Sequence, residues 1–285
     1  SDVLHVMANS GWAWHFLAAP AVWIGILRRR PVLVNYRGGG ARQFLEREGR
    51  WVLPALRRAA AVIVPSAFLC EVFSQYGIEV RIIPNIIDSK LFVARGRSAA
   101  AAHVVVTRSL EPIYDIGSAL RALAIVRERI PSARMTVAGE GPERSTLEAL
   151  AKQLGLEASV VFAGQLEHEE VARLYQQASV MLNPSKVDNA PNSVLESLAA
   201  GVPVVSTDAG GVAHLVAHRQ TALLVPVGDF HAMAAALISV LSDTALADGL
   251  AARGLEFAQR FRWSSIGSDW HALYSSLSPS RTSRV

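Results

Sequence analysis

Short β-branched runs recur along the chain: 31–35 (PVLVN), 60–64 (AAVIV), 80–84 (VRIIP), 103–107 (HVVVT), 134–138 (RMTVA), 159–163 (SVVFA), 179–183 (SVMLN), 202–206 (VPVVS) and 222–226 (ALLVP). Most do not alternate polar with apolar residues, the pattern of strands buried on both faces. Between them, segments 117–130, 142–155 and 167–178 repeat apolar residues at intervals of three and four, the pattern of helices with one face on a core. Strands alternating with helices predict an α/β fold of parallel sheets with crossover helices. The segment 257–277 reads as one further helix, whose Phe261, Trp263, Trp270 and Tyr274 pack in the ordinary way.

The alternation breaks at 88–102 (DSKLFVARGRSAAAA), which is polar, then low in complexity. A domain boundary is expected there, with residues 1–97 as one domain plus linker and 98–285 as a second domain that includes the C-terminal helix. The second domain carries six strand runs. The first carries three, plus whatever 2–7 (DVLHVM) forms, so it reads as the back half of a similar domain, truncated at its N-terminus.

With 285 residues, 51% apolar and 18% charged, the chain can bury two cores and is not a disordered polymer. Its one cysteine, Cys70, permits no internal disulfide, fits a reducing compartment and is expected to pack as a small apolar residue. The net charge of +4 is scattered apart from Arg28 to Arg30, and no basic stripe interleaved with aromatics appears, so nucleic acid is not an expected partner. The apolar run 16–27 is too short to span a bilayer, and the positive charge follows it, unlike a signal peptide. It reads as a core or an interfacial helix. Trp12, Trp14 and Trp23 followed by three arginines also suit a helix lying on an anionic membrane. Residues 12–30 are therefore a candidate membrane surface, on a cytoplasmic protein attached to the inner face.

In open parallel sheets, ligands bind beyond the carboxyl ends of strands, where helix N-termini present N–H groups to anions. The second domain offers three such loops: 107–115 with Arg108, 139–144 (GEGPER) and 188–196 (DNAPNSVLE). Gly139 and Gly141 allow close backbone approach, and Pro142 suits a first helical residue. The third glycine of a dinucleotide fingerprint is missing, so NAD is not read here. The last loop has two readings. SVLE fits a capping box in which Ser193 caps and Glu196 reaches back. That leaves Asp188, Asn189 and Asn192 unexplained. Alternatively, carboxylates at a strand end accept hydrogen bonds from sugar hydroxyls, Glu196 from a ribose, with the helix start facing a diphosphate.

The series Arg108, AGEGPER, VVFAGQL and Asp188-x7-Glu196 followed by SLAAGVPVVSTDAGG resembles the donor domain of retaining family 4 glycosyltransferases of the GT-B fold. Upstream, 35–41 (NYRGGGA), 64–78 and 82–92 resemble the end of that family's acceptor domain and its linker. The resemblance implies two Rossmann-like domains facing a cleft. It implies transfer of a sugar from a nucleotide-diphosphate sugar to a glycan or lipid-linked acceptor, with no further cofactor. Glu196 matches the second glutamate of the family's E-x7-E motif, which binds the ribose, and Asp188 the first, beside the reacting carbon. Arg108 matches the cation that neutralises the diphosphate, and Asn189 to Ser193 lay amides along sugar and phosphates. No Asp-x-Asp pair exists, so a metal site is not expected. This chain departs from the pattern in three places. Asp188 stands for a glutamate. Tyr114 stands for a second cation, usually lysine, for which Lys186 is the candidate replacement. Arg37, beside Asn35 on the acceptor side, stands where the family often has histidine; as a guanidinium it is no base but suits phosphate or an acidic acceptor. Two other functions fit the same residues: nucleotide-sugar binding without transfer, and nucleotide-sugar epimerisation.

Overall fold

The computed structural model describes residues 2–94 and 102–278; the expected boundary at residue 97 lies outside them. The chain forms two compact units, one of residues 1–86 and 263–285 and one of residues 87–262.

The first unit is a four-stranded parallel sheet in the order β1-β2-β3-β4. It runs β1 (Leu4–Ala8), a π-helical turn (Trp14–Ala18) leading into α1 (Ala19–Leu27), β2 (Val32–Tyr36), α2 (Ala41–Leu56), β3 (Ala61–Val64), α3 (Ala67–Ser74) and β4 (Arg81–Ile82). All five residues of β2 are buried, as expected of a central strand covered on both faces. One face carries a core of Val6, Val34, Tyr36, Leu45, Val64 and Phe73. Cys70 packs at the edge of this core.

The second unit is a six-stranded parallel sheet in the order β10-β9-β8-β5-β6-β7. Its elements are β5 (His103–Thr107), α4 (Ile116–Arg129), β6 (Arg134–Ala138), α5 (Arg144–Gln153), β7 (Val160–Gly164), α6 (His168–Gln176), β8 (Val180–Asn183), α7 (Asn192–Ala199), β9 (Val204–Thr207), α8 (Val212–Leu215), β10 (Leu223–Val225), α9 (Phe230–Ser242) and α10 (Thr244–Ala258). The strand order reverses between β5 and β8, so the loops after these two strands diverge and open a crevice. Every strand run read from the sequence forms a strand, shifted by at most two residues except at 80–84, where only Arg81 and Ile82 pair.

Three expectations change. The segment 257–277 is not one helix. A 3-10 turn at Gln259–Phe261 separates the end of α10 from α11 (Trp263–Leu277). That last helix belongs to the first unit, not the second. The reason is aromatic packing: Tyr274 OH is 2.7 Å from His5 Nδ1 on β1, and the Trp270 ring lies 5.5 Å from the His5 ring. The helix start at Pro142 also moves, to Arg144.

Candidate functional site

The crevice between β5 and β8 holds a cavity of about 310 Å³. Its lining includes Thr107 at the end of β5, Arg108 and Tyr114 after it, Gly139 and Glu140 after β6, Gln165 and His168 after β7, and Asn192, Ser193 and Glu196 on α7. Four segments distant in sequence therefore meet because parallel strands deliver them to one sheet edge.

Arg108 is the centre of the cluster, with only 12% of its side chain exposed. Its Nε donates to Asn183 Oδ1 at 3.0 Å, and its guanidinium lies 4.9 Å over the Tyr114 ring. Its Nη2 forms an ion pair with Asp188 Oδ2, and neither atom makes a hydrogen bond elsewhere. Burial lowers its pKa to about 10, so it remains a cation at neutral pH. Asn183 is itself fixed, accepting from Ser185 Oγ and donating to Ser206 Oγ.

Tyr114 is thus a platform for Arg108, by a cation–π contact. Lys186 lies nearby. Its backbone N–H donates to the Ile113 carbonyl, and its ammonium is 3.4 Å from Asp115, which caps α4 in a left-handed conformation (φ 47°). Lys186 is half exposed and outside the cavity lining.

Gly139 and Gly141 serve first to let neighbouring loops approach. A Cβ at Gly139, where φ is +150°, would lie 2.0 Å from the Arg108 carbonyl oxygen; one at Gly141 would lie 2.4 Å from that of Leu110. Gly139 also lines the cavity, and Gly141 does not. Asp188 and Asn189 are both buried. The Asp188 carbonyl accepts from Gly211 N–H, and Asp188 Oδ1 from Asn189 N–H, so the 188–189 loop is pinned to the DAGG turn. Neither residue is part of the lining.

The capping-box reading of SVLE fails. The N-cap of α7 is Pro191, with no side-chain cap, and Ser193 Oγ is buried without a partner. The cavity lies at this uncapped helix start. The capping box of this region is instead Glu167 with Glu170, at the start of α6.

Glu196 is raised above its ordinary value of 4.5 by burial, against the smaller pull of His168 and Arg108. Behind it, Tyr175 OH donates to the Ser193 carbonyl at 3.0 Å, which makes Thr107 Oγ1 the donor to Tyr175 at 2.6 Å. This chain ties the end of β5 to α7 through α6. Sequence reasoning missed His168 and Tyr175. The only signal was the Glu-x-x-Glu spacing that starts a helix at a strand end, which puts His168 at the rim.

On the acceptor-side reading, Arg37 follows β2. Its Nε donates to Asn35 Oδ1 at 3.2 Å and its Nη1 to Asn85 Oδ1. In the 12–30 segment, Trp14 is wholly buried and is thereby removed from the candidate membrane face. Trp12 (77% exposed) stacks on Phe16 at 5.2 Å, while Arg58 lies over Trp23. No single helix among the described residues is long and apolar enough to cross a membrane.

Residues 97–257 match the family model "Glycosyl transferases group 1", and residues 1–91 match "Glycosyltransferase Family 4". Among curated proteins, the exopolysaccharide phosphotransferase SCO2592 of Streptomyces coelicolor is 34% identical over 68% of this chain and 20% of its own length. Sucrose-phosphate synthase from Thermosynechococcus elongatus superposes with a TM-score of 0.82 at 25% identity, over 97% of this chain and 73% of that one. Anabaena HepE in complex with UDP and glucose gives 0.83 at 21% identity, over 96% and 78%. The chain spans about half or less of the length of the curated relatives it matches. Both sheets are those of GT-B glycosyltransferase structures. With more than half of its residues inside one family model, the chain belongs to the group 1 glycosyl transferases.

Proposed function

We propose that this chain is part of a retaining, metal-independent glycosyltransferase, in which the second unit holds a nucleotide-diphosphate sugar and the first unit a glycan or lipid-linked acceptor. The observation that carries the reading is the buried, unpartnered Ser193 Oγ at the uncapped start of α7, in the same cavity as Arg108 and Glu196. A buried hydroxyl without a partner is unfavourable unless a ligand completes it, and a helix start beside an arginine suits a phosphate. HepE forms a crystalline complex with UDP and glucose, in line with such a donor.

On this reading Glu196, as a carboxylate, accepts from ribose hydroxyls, and the amides from Asn189 to Ser193 run along the diphosphate. Arg108 exchanges Asp188 for the phosphates as negative charge grows on the leaving group. Preorganised donors of that kind contribute about 3 kcal/mol each. Asp188, released, turns toward the transferred sugar. Among lining residues the formal charges are those of Arg108 against Glu140 and Glu196, so a diphosphate needs a further cation. Lys186, loosely paired with Asp115, is the nearest such group on this loop. Incubation with nucleotide sugars and a lipid or glycan acceptor tests the reading. The expected products are a nucleoside diphosphate and a glycoside that keeps the donor's anomeric configuration by NMR; nucleotide-sugar binding with neither transfer nor hydrolysis supports a binding protein instead.

The exposed apolar side chains Trp12, Phe16, Leu17, Ile24 and Leu27 precede Arg28 to Arg30. We infer that this face rests on an anionic membrane, which would bring a lipid-linked acceptor to the first unit.

A further inference from the structure

Among the described residues Arg108 makes an ion pair and Arg37 makes none. Among the described residues no carboxylate pairs with its guanidinium, which is held by the amide oxygens of Asn35 and Asn85. Those two asparagines are 2% and 7% exposed, and the Arg37 backbone N–H donates to the Ala8 carbonyl at 2.9 Å, so the side chain starts from a fixed base. Burial lowers the pKa of the guanidinium. Burial and the Arg37 charge together push His5 down, so this imidazole stays neutral. With Nδ1 taken by Tyr274, His5 Nε2 is buried without a partner. A partly desolvated positive charge held only by neutral groups is unfavourable until an anion arrives.

Arg37 lines a cavity of about 220 Å³. Met7, Ala13 and Leu17 form apolar walls, and Arg37 is the only charged group in its lining. Met7 and Leu17 are mostly exposed, so the cavity opens outward along the apolar face of the Trp14–Leu27 segment. One charged end and apolar walls complement a molecule that carries an anionic group on a hydrocarbon.

We propose that this cavity recognises the acceptor by an anionic group, a phosphate monoester or carboxylate, bound to Arg37, with an apolar part of the same molecule against Met7, Ala13 and Leu17. The proposal rests on the reading that the first unit holds the acceptor. Guanidinium forms charge-assisted, often bidentate bonds to such anions, whereas a neutral hydroxyl leaves the charge uncompensated. Arg37 would then select the acceptor instead of acting as a base, which a guanidinium cannot do at neutral pH.

Titration with monomeric octyl phosphate and its neutral counterpart octyl glucoside, followed by calorimetry and by His5 imidazole NMR shifts, tests this. Octyl phosphate is expected to bind saturably, octyl glucoside about 10-fold more weakly or worse, with the same factor lost in Arg37→Gln. Arg37→Lys should keep part of the affinity. Leu17→Asp, at an exposed wall where folding is safe, should repel the anion. Glu196→Ala should bind octyl phosphate as wild type does, so failure of the donor site and failure of this site read out separately. Equal octyl phosphate affinity in wild type, Arg37→Gln and Leu17→Asp, or equal binding of the glucoside, overturns the proposal.

Discussion

Arg108 follows β5 and Arg37 follows β2, at equivalent ends of two parallel sheets, yet one faces an acid and the other faces amides. Arg108 is stacked on Tyr114 and neutralised by Asp188. Arg37 is less buried, and its guanidinium donates to the amide oxygens of Asn35 and Asn85. A buried charge persists only with compensation. At Arg108 the compensation is internal and, on the proposed function, would be exchanged for the diphosphate; at Arg37, on the inference above, it would come from the ligand. The two units share an architecture but use their strand-end arginines in opposite ways.

The largest expected effect breaks this contrast through stability. Arg108→Ala leaves Asp188 buried and unpaired, a cost of about 3–5 kcal/mol in urea unfolding. Arg37→Ala loses charge-assisted hydrogen bonds to two amides but also removes a partly desolvated charge, and costs about 1 kcal/mol. In Arg108→Met with Asp188→Leu, which removes both charges, about 2 kcal/mol of the loss should return. Equal costs for the two arginines would remove the distinction.

A second, smaller effect sharpens the donor side. Asp115→Asn frees Lys186 and should tighten nucleoside diphosphate binding about 3-fold, while Lys186→Ala should weaken it about 10-fold, with a shallower salt dependence. Lys186→Ala with unchanged affinity and salt slope would return the missing cation to an open position.

The smallest effect concerns Glu196. Its folded pKa lies above its unfolded value, so the stability it contributes is fully present below the unfolded pKa and is lost as pH rises through the folded one. Glu196→Gln should therefore raise Tm modestly at neutral pH and leave it unchanged in acid. On the proposed function donor binding uses the carboxylate, so it should weaken on acidification at a higher pH than an ordinary glutamate near 4.5 would require. A Tm that falls at neutral pH in Glu196→Gln would contradict the desolvation argument.

Much of this was legible in the sequence. Unalternating β-branched runs marked the strands because parallel strands are buried on both faces, and the order of loops placed Arg108, Gly139, Ser193 and Glu196 at one sheet edge. What was not legible is how side chains choose partners. Spacing made Ser193 a helix cap, whereas the extended backbone at Pro191 starts α7 earlier and leaves the hydroxyl free. Nothing in the order of residues indicates that Asp188 turns to Arg108, or that Lys186 turns to Asp115. The membership of α11 was hidden because the stacking of Trp270 and Tyr274 with His5 is long-range, while periodicity reports only local order. Trp14 likewise looked interchangeable with Trp12 until the π-helical turn directed it into the core.

On the proposed function the crevice between β5 and β8 holds a nucleoside diphosphate against Arg108, the start of α7 and Glu196. Calorimetric titration of wild type and Glu196→Ala with a panel of nucleoside diphosphates tests it most directly. Saturable binding of at least one nucleotide to wild type is expected, with a loss of about 10-fold or more in Glu196→Ala. Unchanged affinity in Glu196→Ala, with the variant folded, would contradict it.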